Sequence, residues 1–389
     1  MEKTVCELFA GVGGFRLGLE NSSKDWKTVW FSQWEPSRKS QYAHDCYVSH
    51  FGDIDENTGI DIHEVDKSKL PDFNLLVGGF PCQDYSVACT GAKGIEGKKG
   101  VLWWQIVEVL KAKKPKFVLL ENVDRLLKSP ASLRGKDFGI MLSCFDMEGY
   151  YVEWRVVNAS DYGAAQKRKR LFIFACRKDT RFFSGLKEDS QDILNHGFMG
   201  KAFPVEKSSE FESGKIPSCP DNNFSMKFLE SGFMRNGQVF MKSVVPIKIP
   251  FIPLKDILEK DVDSKYFLSD DKIKKFEYLK GSKRIERVSK TGHHYAFSEG
   301  KMAFPDFLDM PARTMLTSEG TVNRSTHVVL DGGKLRLITP LEAERIQGFP
   351  DNWTLGMPEK SRYFCMGNAL VVPMITRMGN VLNEIFEKE

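Results

Sequence analysis

The sequence predicts an α/β fold: a mostly parallel sheet wrapped by helices on both sides, followed by a second, smaller lobe. Three observations carry this. Short apolar, β-branched runs at 4–10, 27–32, 74–78, 116–121, 151–158 and 170–176 are separated by longer segments, the rhythm of strands joined by helical crossovers. Residues 101–114 put Leu102, Ile106, Val109 and Leu110 on one helical face and end in Lys111, Lys113 and Lys114 before Pro115, as a helix C-terminus does. After Arg177 the texture changes, with frequent Ser, Gly, Pro and Lys and no strand–helix rhythm up to about residue 330.

Composition agrees with a folded enzyme of two lobes. The 389 residues are 41% aliphatic and aromatic and 28% charged, ordinary for a globular chain and far from disordered or fibrous classes. There is no uncharged apolar run long enough to cross a bilayer, and the start, MEKTVCELFAG, lacks a basic region followed by an apolar signal segment, so a soluble, cytoplasmic location is expected. The eight cysteines, at 6, 46, 82, 89, 144, 176, 219 and 365, form no Cys-x-x-Cys pair, which argues against a disulfide framework and against a metal site. A net charge of +4 is too small to imply nucleic-acid binding; its distribution must decide.

Taken in order, the first strand leads into Phe9-Ala10-Gly11-Val12-Gly13-Gly14, a turn where backbone can approach a ligand beside a helix N-terminus. Arg16 stands where a dinucleotide fingerprint wants a third glycine, which argues against a nicotinamide enzyme. The third strand ends in Gly78-Gly79-Phe80-Pro81-Cys82-Gln83, at the carboxyl edge where open α/β sheets hold ligands. A lone cysteine there is either a small buried hydrophobe or a nucleophile. Residues 84–100, with Gly91, Gly94, Gly97, Gly100, Lys93, Lys98 and Lys99, read as a mobile, basic, water-excluding lid.

The strand 116–120 delivers Glu121-Asn122-Val123 to the same edge. Its carboxylate either caps the next segment or, desolvated in a cleft, shares a proton with a ring nitrogen. Ahead of the strand 171–174, period two puts Gln166, Arg168 and Arg170 on one face of an extended segment, with a phosphate-binding patch as the plainer alternative. In the second lobe, 265–290 interleaves Lys272, Lys274, Lys275, Lys280, Lys283, Arg284, Arg287 and Lys290 with Tyr266, Phe276 and Tyr278, either a nucleic-acid surface or a solvated helix face. At the end, Val371, Ile375, Met378, Leu382 and Ile385 recur at spacings of four and three, an amphipathic helix.

In this order the motifs resemble those of the DNA (cytosine-5) methyltransferase family, of the bacterial and phage restriction-modification type, over roughly residues 4–177 and 311–373. Phe9 to Gly14 resembles its first donor-binding motif, Pro81-Cys82-Gln83 its catalytic motif, Glu121-Asn122-Val123 its acid motif and Gln166-x-Arg168-x-Arg170 its paired-arginine motif. Arg336-x-x-Thr339-x-x-Glu342-x-x-Arg345-x-Gln347-Gly348-Phe349-Pro350 is similar to the scaffold motif, and Gly367-Asn368-Ala369 to the last donor-site motif. Two positions depart from the pattern. The family's Glu-Trp-Asp reads Gln33-Trp34-Glu35, so the ribose contact falls to Gln33 or shifts to Glu35, and the lid's Arg-Gly reads Lys99-Gly100. Of two Asp-Ile pairs, Asp61-Ile62 suits the donor adenine better than Asp53-Ile54 by its distance from Pro81-Cys82.

The resemblance implies a Rossmann-like, S-adenosylmethionine-dependent methyltransferase sheet with a smaller target-recognition domain. It implies a catalytic domain at 1–177, a target-recognition domain and hinge at 178–350, and a segment at 351–389 returning to the first. Cys82, Glu121, Arg168 and Arg170 would be catalytic. S-adenosylmethionine, leaving as S-adenosylhomocysteine, would be held by Phe9, Gly11, Val12, Gly14, Gln33, Trp34, Asp61, Ile62, Pro81, Leu102, Asn368 and Ala369. Double-stranded DNA would meet Gln83, Ser86, Asn122, Lys274, Lys275, Lys283 and Arg284. No metal is implied, a monomer is expected, and any restriction endonuclease would be a functional rather than a physical partner. Relatives acting on tRNA cytosine typically carry Pro-Pro-Cys, whereas Phe80 precedes Pro81 here.

Overall fold

The computed structural model describes residues 1–36, 38–80, 102–186, 190–218, 220, 223–289 and 292–389. Pro81, Cys82, Gln83, Ser86 and the rest of the glycine- and lysine-bearing stretch therefore lie outside the described residues. The chain begins β1 (Thr4–Leu8), α1 (Gly14–Ser22), β2 (Lys27–Ser32), α2 (Tyr42–Phe51), β3 (Leu75–Gly79), α3 (Leu102–Lys113), β4 (Phe117–Val123), α4 (Lys136–Met147), β5 (Tyr150–Asn158) and β6 (Lys169–Arg177). It continues α5 (Arg181–Ser184), α6 (Ser190–His196), α7 (Phe198–Ala202), β7 (Val205–Ser208), β8 (Glu212–Lys215), β9 (Ser231–Arg235), β10 (Gln238–Lys242) and β11 (Val244–Pro246). Then follow α8 (Asp270–Lys280), β12 (Lys283–Val288), β13 (His294–Glu299), β14 (Val328–Asp331), β15 (Lys334–Leu337), α9 (Pro340–Gln347), α10 (Glu359–Asn368) and α11 (Val372–Lys388).

These elements fall into two compact units, one of residues 1–162, 169–250 and 370–389, the other of 163–168 and 251–369. Among the described residues the first unit carries a nine-stranded sheet in the order β2-β1-β3-β4-β6-β5-β9-β10-β8. Parallel pairing is confined to β2-β1-β3-β4, and β6 runs antiparallel between β4 and β5. The reversal has a plain cause: residues 159–168 between β5 and β6 hold a single 3-10 turn, too little for a crossover helix. The central strands read as continuous apolar runs because both faces are covered; Leu75, Leu76, Val77, Val118, Leu119 and Leu120 have no exposure. α3 buries Ile106, Val109 and Leu110, and α11 buries Ile375, Met378 and Leu382, the faces their periodicity predicts. α11 lies against α1 so closely that a Cβ on Gly18 would come 2.5 Å from the Cβ of Ile375.

The units divide the chain differently from the boundaries at 177/178 and 350/351. Residues 178–250 belong to the first, since β9, β10 and β8 extend its sheet. Buried charges on β5 tie in the helices: Arg155 donates to the carbonyls of Met199, Phe203 and Leu194, and Glu153 accepts from the N–H groups of Phe198 and Met199. The return to the first unit begins at Leu370 rather than at residue 351. No helix among the described residues is long and apolar enough to cross a membrane.

Candidate active site

Two neighbouring strand ends build the first part of the site. β1 ends in a turn that holds Phe9 at φ 56°, Gly11 at φ 58° and Gly13 at φ 88°, and Gly13 caps α1. A side chain on Gly13 would strike Phe51 at 2.5 Å, whereas nothing lies within 4 Å of the Cβ position of Gly11, so backbone faces open space there. From the end of β2, Gln33 accepts the N–H of Gly11 through Oε1 at 2.7 Å, and its own N–H binds the carbonyl of Thr58. Its amide thus braces the turn. Trp34 is 38% exposed, its ring free to offer a face, while Glu35 is half-buried and its carboxyl raised by burial.

The two Asp-Ile pairs differ in setting. Asp61 caps a 3-10 turn, accepting the N–H of His63 at 3.1 Å and meeting its Nδ1 at 2.7 Å, and Ile62 is buried. Asp53 accepts the hydroxyl of Thr58 at 2.8 Å, and Ile54 is 38% exposed. Leu102, at the start of α3, is partly buried against the main core. An adenosyl donor suits the turn: a bare backbone at Gly11, the N–H groups at the start of α1 for a carboxylate, and an indole face at Trp34.

The second part sits on the next strands of the same unit. Glu121, near the end of β4, lies opposite Gly79 of β3 and Phe172 of β6. Its Oε1 is 2.7 Å from Nε of Arg170, both side chains being largely buried. Gly79 leaves room for that carboxylate, since a Cβ there would approach Oε2 to 3.2 Å. Asn122 is 2% exposed; its Nδ2 donates to the carbonyl of Phe80 at 2.9 Å and its Oδ1 accepts the N–H of Val123. Asn122, expected among the DNA contacts, holds Phe80, the last described residue before Pro81-Cys82.

The paired arginines part company. β6 begins at Lys169, so Arg170 lies in the first unit and Gln166 and Arg168 in the second. Arg168 is 1% exposed and donates to the carbonyls of Met315 and Gly367, while Gln166 accepts the N–H of Met315. The scaffold motif is a set of buried pins in the second unit. Arg336 forms a double ion pair with Glu342 at 2.7 and 2.8 Å, Thr339 and Glu342 close a capping box on α9, and Gln347 holds the carbonyl of Met366. Asn368 and Ala369, at the end of α10, also belong to this unit.

In the basic stretch, Lys274, Lys275 and Arg284 are exposed. Lys283 is half-buried with its ammonium 4.2 Å from the ring centroid of Tyr278. Lys280 is buried, donates to the carbonyl of Thr326 at 2.6 Å, and is pushed down to about 8 by burial. Phe276 is core. The stretch therefore mixes structural and free cations.

Sequence reasoning missed Glu7. This residue, fully buried on β1 directly before the glycine turn, accepts the hydroxyl of Tyr47 at 3.0 Å, and burial pushes its carboxyl up to about 8. The available signal was an acidic residue inside an otherwise apolar strand. Arg16, the departure from a nicotinamide fingerprint, has its guanidinium 4.3 Å from the ring centroid of Phe51 and pairs with Glu20.

A family model described as C-5 cytosine-specific DNA methylase matches residues 3–384. The Type II methyltransferase M.Sau3AI of Staphylococcus aureus is 50% identical over 395 residues, covering 98% of this chain and 95% of that protein. M.HaeII of Haemophilus aegyptius is 30% identical, covering 98% and 93%, and M.NgoBI of Neisseria gonorrhoeae is 29% identical, covering 99% and 94%. Among solved structures, the S. pombe Dnmt2 methyltransferase superposes with a TM-score of 0.61 at 15% identity over 99% of this chain and 98% of that one. The Entamoeba histolytica methyltransferase EhMeth does so with 0.59 at 16% over 100% and 99%. At such identities these two likenesses speak to fold alone, a Rossmann-like methyltransferase sheet.

Proposed function

Because the chain belongs to the C-5 cytosine-specific DNA methylase family, and so is an S-adenosylmethionine-dependent DNA (cytosine-5) methyltransferase, we propose how it acts. It flips a target cytosine out of duplex DNA, at a short specific sequence, and methylates carbon 5 through a covalent bond to Cys82. The observation that carries this reading is the Glu121–Arg170 pair, 2.7 Å apart, in which Glu121 stands on β4, the neighbour of the strand that precedes Pro81-Cys82 in the chain, and Arg170 on β6 beyond it.

Carbon 5 of cytosine is too weakly nucleophilic to take a methyl group unaided. The thiolate of Cys82 adds to carbon 6, and the displaced ring electrons reach carbon 5 while nitrogen 3 gains proton density from Glu121. Arg170 holds Glu121 in one orientation and balances charge as the proton shifts. Asn122, bonded to the carbonyl of Phe80, fixes the root from which Cys82 is presented. S-adenosylmethionine supplies an electrophilic methyl group, and the Gly11 turn, Gln33 and Trp34 are the residues that would hold it. Loss of the carbon-5 proton to a solvent base, with return of the nitrogen-3 proton to Glu121, then expels Cys82 as thiolate and restores the ring. A stacked base cannot present both faces, so extrusion is required at a cost of about a few kcal/mol. Lys274 and Lys275 supply phosphate contacts in this reading. The enzyme works as a monomer, in the bacterial cytoplasm, paired in function with a restriction endonuclease.

Bisulfite sequencing of DNA from cells expressing the chain tests the proposal. Protected cytosines should recur in one sequence context and vanish with Cys82→Ser. Protection scattered without context, or retained by the variant, would overturn it.

A further inference from the structure

The hairpin of β12 and β13 is paired to no other strand among the described residues. Its register sets Lys283 against Glu299, Ile285 against Phe297, Glu286 against Ala296 and Val288 against His294. Neither face is covered: Ile285 is 38%, Tyr295 43% and Val288 56% exposed. A two-stranded ribbon is at best marginally stable in water, so it needs either support or a partner. Its root is supported. Arg324 donates to the carbonyls of Leu279, Gly281 and Gly300, tying together the start and end of the hairpin, while Lys280 and Phe276 below are buried. The blade beyond that clamp projects exposed side chains from both faces.

Its charge selects the partner. Lys283, Arg284 and Arg287 lie along β12, with exposed Lys274 and Lys275 on α8 of the same unit. A two-stranded ribbon has the width to enter a major groove. Two acidic residues stand on the strands. Glu299 lies 3.6 Å from Arg324 and forms an ion pair with it. Glu286 is exposed and, among the described residues, its carboxylate makes no hydrogen bond or ion pair. Against phosphates such a carboxylate is repelled; in the groove it meets exocyclic amino groups, which are donors.

We propose that the paired strands β12 and β13 enter the major groove of the target duplex and that Glu286 is a specificity-determining residue, accepting a hydrogen bond from the amino group of a cytosine. This deepens the reading of the chain as a sequence-specific DNA methyltransferase and rests on it. By period two Glu286 shares its face with Arg284, Val288, His294, Ala296 and Ser298, so polar groups there stand beside one exposed valine. The opposite face carries Arg287 stacked 3.9 Å over Phe297.

The test is methylation of a random-sequence duplex library by the full chain, read by bisulfite sequencing, with wild type, Glu286→Ala and Glu286→Gln. Glu286→Ala should lose discrimination at one base pair by about tenfold or more. Its binding to unmethylatable, non-specific duplex should be unchanged or tighter, because a negative charge has gone. Glu286→Gln should move the preference at the same base pair toward adenine, which a Gln side chain reads through N6 and N7. Identical contexts and discrimination in all three proteins would overturn the proposal. A library in which wild type methylates nothing would instead overturn the underlying functional reading, so the two failures are separable.

Discussion

Nε of Arg170 stands 2.7 Å from Oε1 of Glu121 across the β4–β6 ladder, and Gly79 on the other side leaves the second carboxylate oxygen its space. A charge-assisted bond of this kind fixes a carboxyl group in one orientation before substrate arrives.

Removing that partner should therefore act on chemistry rather than on binding. Arg170→Ala is expected to lower the single-turnover methyl-transfer rate by about 10²-fold or more, with donor affinity unchanged. Arg170→Lys should fall between, since it keeps the charge and loses the planar fork. Rapid-quench transfer of a radiolabelled methyl group, beside calorimetric donor titration, separates the two effects.

The donor turn makes a different prediction. Gln33→Ala leaves the N–H of Gly11 without its acceptor and should raise the donor's dissociation constant by about fivefold to tenfold. Trp34→Ala removes an exposed indole face and should raise it by about tenfold or more. Asp61→Ala should weaken donor binding and Asp53→Ala should not; calorimetry giving the reverse would transfer the adenine contact to Asp53-Ile54.

Glu7 should make stability depend on pH. Its carboxyl is raised from 4.5 to about 8 by burial. Between those values the unfolded chain releases a proton that the folded chain retains, so stability falls as pH rises through that window and levels off above it. Urea unfolding near pH 5 and near pH 8 should show wild type losing on the order of a few kcal/mol more than Glu7→Gln. Equal losses in the two proteins would mean that Glu7 is already ionised in the fold.

Much of the first unit is legible in the sequence because its strands are buried on both faces. Continuous apolar runs such as Val118-Leu119-Leu120 allow few other readings, and the Ile375, Met378, Leu382 face of α11 is equally plain. The antiparallel half of the sheet was harder. β9 and β10 are short, and their connection, Asn236-Gly237 at φ 52° and 71°, is a hairpin turn whose two-residue signature was there to be read. Membership of residues 178–250 in the first unit was hidden because Arg155 and Glu153 fix it through backbone groups far along the chain. At the site, Glu121 and Arg170 come together on adjacent strands, whereas Arg168 is claimed by carbonyls of the second unit. Spacing gives a side chain's face only while the strand lasts, and β6 begins one residue too late.

A covalent bond between Cys82 and the target base can be trapped. Duplex DNA bearing 5-fluorocytosine at the target position is incubated with the full chain and S-adenosylmethionine, then run under denaturing conditions. Fluorine cannot leave as a proton does, so the adduct should persist as a denaturant-resistant protein–DNA band. Wild type should give that band and Cys82→Ser should lose it; equal trapping by the variant, or none by a wild-type chain that methylates ordinary DNA, would rule out Cys82 as the covalent nucleophile.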